Sequence, residues 1–175
     1  MRFLTAFRLL LLGLWLGAAV FFVVMAQNAF QILPTHEVAG LLVSRTLAIL
    51  NYSGLGAAFV LILTSLIVAA GTNIAGLWLE RILLVIFGLG CAVGQFVIGW
   101  WMLLIRTQMG KPIDEVAADD PLRIQFDQLH QYSTWVMGAA VAAAFLAFVI
   151  ISVRRVTPPK KNGIDPLDFQ RQFKI

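Results

Sequence analysis

Four long apolar runs dominate the pattern of hydrophobic and polar positions along the chain. They cover residues 9–26, 46–70, 82–105 and 133–153, and none contains a proline or a charged side chain. A hydrocarbon core of ~30 Å needs roughly 20 helical residues at ~1.5 Å rise per residue. Because each backbone N–H and C=O inside lipid needs an internal partner, the runs predict four membrane-spanning helices.

The segments between the runs carry helix-start signals. Pro34 followed by Thr35 predicts an N-cap for a helix that begins at His36 and leads into the second run. Asp120 followed by Pro121 predicts a second strong start, with the aspartate as N-cap and the proline at the first helical position. Residues 71–81 are predicted to form a short hairpin loop.

One long helix is predicted from Pro121 to about Val153. Its first three turns are amphipathic and are expected to stand out of the hydrocarbon. Arg123 and Asp127 lie four residues apart on this segment and predict an ion pair along the helix surface.

These elements predict an all-α, polytopic membrane protein. Residues 1–156 are expected to form an antiparallel bundle of four transmembrane helices, and residues 157–175 a basic tail. The first run has a second interpretation as a secretory signal, since Arg2 and Arg8 precede it and a small-residue cleavage pattern ends at Ala26. Its length and its continuation toward Ile32 favour a retained helix.

Composition agrees with lipid as the solvent. Hydrophobic residues make up 60% of the 175, charged residues 13%, and the mean hydropathy is +0.87. The single Cys91 excludes an intramolecular disulfide and lacks a metal-binding CxxC pattern. The net charge of +4 is concentrated at the C-terminus, so the lipid bilayer, and not nucleic acid, is the expected partner.

The distribution of Lys and Arg predicts the orientation. Four spans put the N-terminus, the second loop and the tail on one side with nine basic residues, against four on the other. Basic residues are enriched on the cytoplasmic side, so both termini are expected in the cytoplasm and the chain in the inner (cytoplasmic) membrane. The outer loop of residues 106–132 has a net charge of −2.

Two stretches resemble the transmembrane protein 205-like family, also called domain of unknown function 4149. One runs from Leu14-Trp-Leu-Gly17 through Leu33-Pro34 to Arg45. The other is a signature patch of spaced residues on the last helix: Arg123, Phe126, Leu129, His130 and Ser133. The family pattern has an Asn one turn after that Ser, where this chain has Met137. The resemblance implies four membrane helices and no settled biochemical activity.

His130 is the sharpest candidate for chemistry. Together with His36 and Met137 it could ligate haem or copper, since imidazole and thioether are suitable ligands for these metals. The simpler interpretation is a histidine that hydrogen-bonds a neighbouring helix or lies at headgroup level, and no cofactor is predicted on that interpretation.

Three of the polar residues within the apolar runs are candidates for contacts between helices. Gln95, Asn51 and Ser53 are expected to hydrogen-bond across helices, or alternatively to line a solute path. The runs contain no charged residue, which argues against active transport. Small-residue faces at Gly13-xxx-Gly17, Gly90-xxx-Gly94 and residues 139–144 predict close helix packing within the bundle, in a homo-oligomer or with a protein partner.

No nucleophile elbow, phosphate-binding loop or HExxH motif occurs, so the chain is predicted not to be an enzyme. The leading hypothesis is a scaffold or accessory subunit that uses an outer recognition patch around His130. Two alternatives stay open. One is passive export or channelling of a small solute or metal ion, and the other is a haem- or copper-binding redox protein.

Overall fold

The structure is a computed structural model that describes residues 2–67 and 74–153. The described chain is all-helical and contains no strand. Four helices are long and apolar enough to cross a membrane: α1, Arg2–Ile32; α2, His36–Ile67; α3, Ile74–Met109; and α4, Pro121–Val153. The all-α prediction is therefore confirmed. The predicted basic tail, 157–175, lies outside the described residues.

The two predicted helix starts are confirmed by their caps. The Val38 N–H donates to Thr35 Oγ1 at 3.2 Å, and the Leu122 N–H donates to Asp120 Oδ1 at 2.8 Å. Each cap satisfies a backbone donor that the first helical turn leaves without an intrahelical acceptor. α4 then continues without a break from Pro121 to Val153, as its sequence predicts.

The helices are longer than the apolar runs, and one loop prediction is wrong. Residues 71–81 were expected to be a loop, but α3 begins at Ile74, so Ile74–Arg81 is helical. Polar residues continue this helix because Glu80 and Arg81 both contact groups on other helices, as described below. α1 likewise includes Arg8, which precedes its apolar run.

The main core is an apolar cluster to which all four helices contribute, and a smaller cluster of Ala29, Ala39 and Val43 joins α1 to α2 near the loop after α1. Leu12 of α1, Leu61 of α2, and Leu84 and Phe87 of α3 are fully buried in the main core. α4 contributes a stripe of small side chains at helical spacing, namely Ala140, Ala143, Ala144 and Ala147. In lipid, packing of this kind replaces the hydrophobic effect as the force between helices.

Aromatic side chains mark two levels on the outside of the bundle. Trp78 is exposed near the start of α3, whereas Trp100, Trp101, Tyr132 and Trp135 are exposed toward the other end. Trp78 and Trp101 are separated by roughly 34 Å of helix at ~1.5 Å per residue, close to the thickness of a hydrocarbon core. The exposed positions fit the aromatic belts of a membrane protein.

α3 changes helix type in its interior. Residues Val93–Ile98 form a π-helical turn between the α-helical parts Ile74–Ala92 and Gly99–Met109. The Gly99 N–H donates to the Gly94 carbonyl, five residues back. π-helical turns are rare in proteins overall, and those that occur are often located at functional sites.

Two glycines permit close helix contacts. A Cβ at Gly54 would lie 2.6 Å from Cys91 Sγ and 2.8 Å from Trp15 Nε1, and a Cβ at Gly90 would lie 2.8 Å from Ala140 Cβ. By contrast, nothing lies within 4 Å of a Cβ at Gly17. The Gly90 motif therefore brings helices together, whereas the Gly13-xxx-Gly17 motif does not do so at its second glycine.

We expect Gly54→Ala to destabilise the bundle relative to Gly56→Ala. Both substitutions gain helix propensity of ~1 kcal/mol, and only the first forces Cys91 and Trp15 apart, at a cost of roughly 1–3 kcal/mol. A Cβ at Gly56 meets nothing within 4 Å, which makes it the matched control. Unfolding midpoints in mixed micelles with increasing SDS would measure the difference, and equal midpoints would contradict the packing.

Candidate functional site

A buried ion pair joins α1 and α3. The Arg8 guanidinium donates from Nη2 to Glu80 Oε1, and the two side chains are 1% and 0% exposed. The same Nη2 donates to the Leu61 carbonyl of α2 at 3.3 Å. One guanidinium therefore connects three helices. Glu80 follows Trp78 by two residues, so the pair lies about 3 Å of helix inside that aromatic level.

A second arginine binds the same face of α2. Arg81 donates from Nε to Ser65 Oγ at 3.3 Å and from Nη2 to the Ser65 carbonyl at 3.1 Å. Leu61 and Ser65 are four residues apart and lie on one face of the helix. The two arginines thus hold the last turns of α2, where positive charge is favourable at a helix C-terminus.

This cluster corrects the prediction that no charged residue lies within the membrane helices. Arg8 and Glu80 lie immediately beside two apolar runs, so a boundary drawn at the first charge excluded both. For Arg8, the available signal was its helical spacing from apolar residues. Arg8 falls on the same face of α1 as Leu12 and Trp15, which are both buried. The argument against active transport that rested on the missing charge no longer applies.

Charge compensation decides what the buried pair can do. A carboxyl that loses its partner can take up a proton and become neutral, whereas an arginine stays charged in proteins. Removing one member of a buried pair leaves an uncompensated charge, and replacing both members by apolar residues is often neutral. The pair therefore fixes the relative positions of α1 and α3 much more strictly than an apolar contact would.

A second polar group lies deeper between α2 and α3. Asn51 is 2% exposed, and its Oδ1 has no hydrogen-bond partner among the described residues. It faces Gly94 in the π turn, where a Cβ would lie 3.4 Å from Asn51 Nδ2. Of the other two predicted intramembrane polar residues, Ser53 donates to the Leu50 carbonyl at 2.9 Å, and Gln95 is half-buried in the same π turn.

The opposite end of the bundle, hereafter the loop end, is held by polar contacts. Arg106 at the end of α3 pairs with Glu37 at the start of α2, with Nη2 and Oε1 3.0 Å apart. The second oxygen of Glu37 accepts the Ile113 N–H at 3.4 Å. The short 3₁₀ turn Ile113–Glu115 in the loop after α3 is thereby attached to α2.

Arg123 attaches the same loop to α4. Its Nη1 donates to the carbonyls of Ile113 and Val116 at 3.0 and 2.6 Å. The predicted ion pair between Arg123 and Asp127 is wrong, because the guanidinium turns back to these loop carbonyls. Sequence spacing along one helix could not identify acceptors that belong to a neighbouring loop.

The signature patch divides into supporting and exposed residues. Phe126, Leu129 and Ser133 are half-buried, and Arg123 is engaged with the loop. His130 is exposed, and its imidazole makes no hydrogen bond or ion pair within the described chain. Its carbonyl accepts the Thr134 hydroxyl at 3.1 Å.

The two histidines have different surroundings. His36 Nδ1 lies 3.1 Å from Asp114 Oδ1, and its ring lies 6.1 Å from that of Phe30. Met137 is partly buried against the apolar core. Within residues 2–67 and 74–153, no group of three or more His, Cys, Asp or Glu side chains is arranged to hold a metal ion. A site on His130, His36 and Met137 stays a prediction.

We expect Glu80→Gln to destabilise the protein most among single changes at the ion pair, by about 3–5 kcal/mol, because Arg8 keeps its charge. Arg8→Met should also destabilise the protein, because the Glu80 carboxylate then lies buried without the Arg8 guanidinium. The double variant Arg8→Met/Glu80→Met should recover part of the loss. SDS-unfolding midpoints measure all three.

The control for these variants is Arg45→Met, because Arg45 lies on α2 and is exposed. We expect it to change the free energy of unfolding by no more than about 0.5 kcal/mol. Equal midpoints for Glu80→Gln and Arg45→Met would contradict the buried ion pair.

The comparison with known families identifies the chain. A family model described as Domain of unknown function (DUF4149) matches residues 10–111. No curated protein and no solved structure matches the chain. The matched region contains Glu80 and Asn51 but ends before the patch at Arg123 and His130, whose place in the family pattern stays a prediction. Since more than half of the chain is matched, this multi-pass membrane protein with four apolar helices belongs to the DUF4149 family.

Proposed function

We propose that this protein is a non-enzymatic scaffold or accessory subunit of the bacterial cytoplasmic membrane. Both termini lie in the cytoplasm, and the loop end faces outward. The surface around His130 recognises a protein partner. The charge asymmetry of the sequence supports the orientation, because the positive-inside rule assigns the more basic side to the cytoplasm.

One observation carries this proposal: an ion pair and hydrogen bonds join the elements of the loop end, while the His130 face of α4 stays exposed. Glu37, Arg106 and Arg123 make an ion pair and hydrogen bonds within the fold. Asp127, His130 and Gln131 are exposed and available to a partner. A surface whose backbone is already fixed loses little conformational entropy on binding.

The ion pair at the other end supports the same function. The buried ion pair of Arg8 and Glu80 has no net charge and joins α1 to α3. It resists the relative helix movement that gating or alternating access requires. The bundle is therefore suited to presenting a fixed surface.

A photo-crosslinking residue at Gln131 tests the proposal in intact membranes. We expect it to give a discrete protein adduct that His130→Ala weakens, because both positions belong to the recognition surface. The matched control places the same group at Phe145, which is 55% exposed on the apolar part of α4. The control should give no protein adduct. Adducts at 145 alone, or no effect of His130→Ala at 131, would overturn the proposal.

A second function is favoured by Asn51, whose buried oxygen lacks a partner among the described residues. We propose as the alternative a passive export path for a small solute or metal ion along Asn51 and Gln95. Proteoliposomes with the purified chain should then release solute faster than protein-free liposomes, and Asn51→Leu should abolish the difference. Equal release from both liposome types would exclude the path and favour the scaffold.

A further inference from the structure

The strongest unassigned feature is the acceptor at Asn51. Its side chain is 2% exposed on α2, between helices that span the bilayer, and its Oδ1 has no partner within the described chain. A buried polar atom without a hydrogen bond costs free energy, and more in lipid where no bulk water can relax into the site. Buried polar groups in proteins therefore have partners, either protein groups or bound water.

The element that faces Asn51 is the π turn of α3. Gly94 has no side chain, which lets the Asn51 amide lie directly against the backbone of the π turn. The Gly94 carbonyl already accepts the Gly99 N–H across five residues. Where a π turn returns to α-helix, one backbone carbonyl has no N–H partner within the helix and needs a donor from elsewhere.

No side chain of the described residues donates to Asn51 Oδ1. The Trp15 indole N–H is already engaged, because it donates to the carbonyl of Leu50, the residue before Asn51, at 3.1 Å. One turn along α2 from Asn51, Gly54 lies in close contact with Cys91. A Cβ added at Gly54 would lie only 2.6 Å from Cys91 Sγ. The missing donor must therefore be small enough to enter a tightly packed interface.

We propose that a water molecule binds between α2 and α3. It donates one hydrogen to Asn51 Oδ1 and the other to the carbonyl that the π turn releases. Water satisfies two acceptors at once and needs only two to four polar partners. A metal cation needs more oxygen ligands than this site presents. The bound water explains why an amide and a π turn occur together at this depth, and it stands whether the protein is a scaffold or a solute path.

Water-to-protein magnetisation transfer in solid-state NMR tests the site on the full chain in bilayers. The protein is labelled with ¹⁵N at Asn and Ala, and the Asn51 side-chain signal is assigned by its loss in Asn51→Leu. We expect this signal to build up from water several-fold faster than the backbone amides of Ala57 and Ala58, which are buried two turns away. Asn28, which is exposed on α1, provides the hydrated reference. Build-up at Asn51 as slow as at Ala57 and Ala58 would overturn the proposal.

A second measurement separates water from a bound cation and does not depend on signal assignment. Thermal unfolding of the wild type is compared in sodium, potassium and choline chloride at equal ionic strength. We expect equal midpoints in the three salts, because the ligand is water. A rise specific to one metal cation that Asn51→Leu removes would assign the site to that cation and overturn the proposal.

Discussion

The contact between the Arg8 guanidinium and the Glu80 carboxylate is the constraint around which this bundle is arranged. The pair is buried between α1 and α3, and the Leu61 carbonyl of α2 accepts a further hydrogen bond from Arg8. Apolar packing in lipid is weakly directional, since lipid tails compete with leucine and valine for the same surfaces. A buried charge has no such alternative partner in the bilayer. It therefore selects one relative placement of α1 and α3 from the many that small-residue packing alone would allow.

The two ends of the molecule then take different roles. At the Arg8 end, charge is buried, compensated and directed at helix backbone. At the loop end, the pairs of Arg106 with Glu37 and of His36 with Asp114 are partly or largely exposed, and they hold a short turn against α2, while Arg123 attaches that turn to α4. Between the two ends, the core is formed from small, aliphatic and aromatic side chains, with Trp15 and Phe87 in ring contact. A surface at the loop end can thus be presented by a frame whose far end is fixed.

Local signals in the sequence determine much of this fold. The four helices follow from the length and apolar character of the runs, and the caps at Thr35 and Asp120 follow from chemistry confined to three or four neighbouring residues. What the sequence could not indicate depends on contacts between distant segments. Glu80 was assigned to a loop because its charge is unfavourable in lipid, and Arg8, seventy-two residues away, supplies the opposite charge inside the bundle. Arg123 was paired with Asp127 because the two lie four residues apart on one helix, whereas its actual acceptors belong to a loop that the spacing does not show. The amino-acid composition of the π turn resembles that of the rest of α3, so the sequence does not predict a change of helix type there. The approach of Asn51 to Gly94 distinguishes the turn, and that approach depends on the fold.

The central claim is that Arg8 and Glu80 are in contact inside the bundle when the protein is in lipid. A dipolar-recoupling NMR experiment on bilayer samples, with ¹³C in the glutamate carboxyls and ¹⁵N in the arginine guanidinium groups, measures that contact directly. The chain has three glutamates, and Glu80→Gln assigns the relevant carboxyl signal. The account predicts strong dephasing of the Glu80 carboxyl by guanidinium nitrogen, as expected for directly hydrogen-bonded groups. A Glu80 signal that arginine nitrogen leaves unaffected would contradict the account.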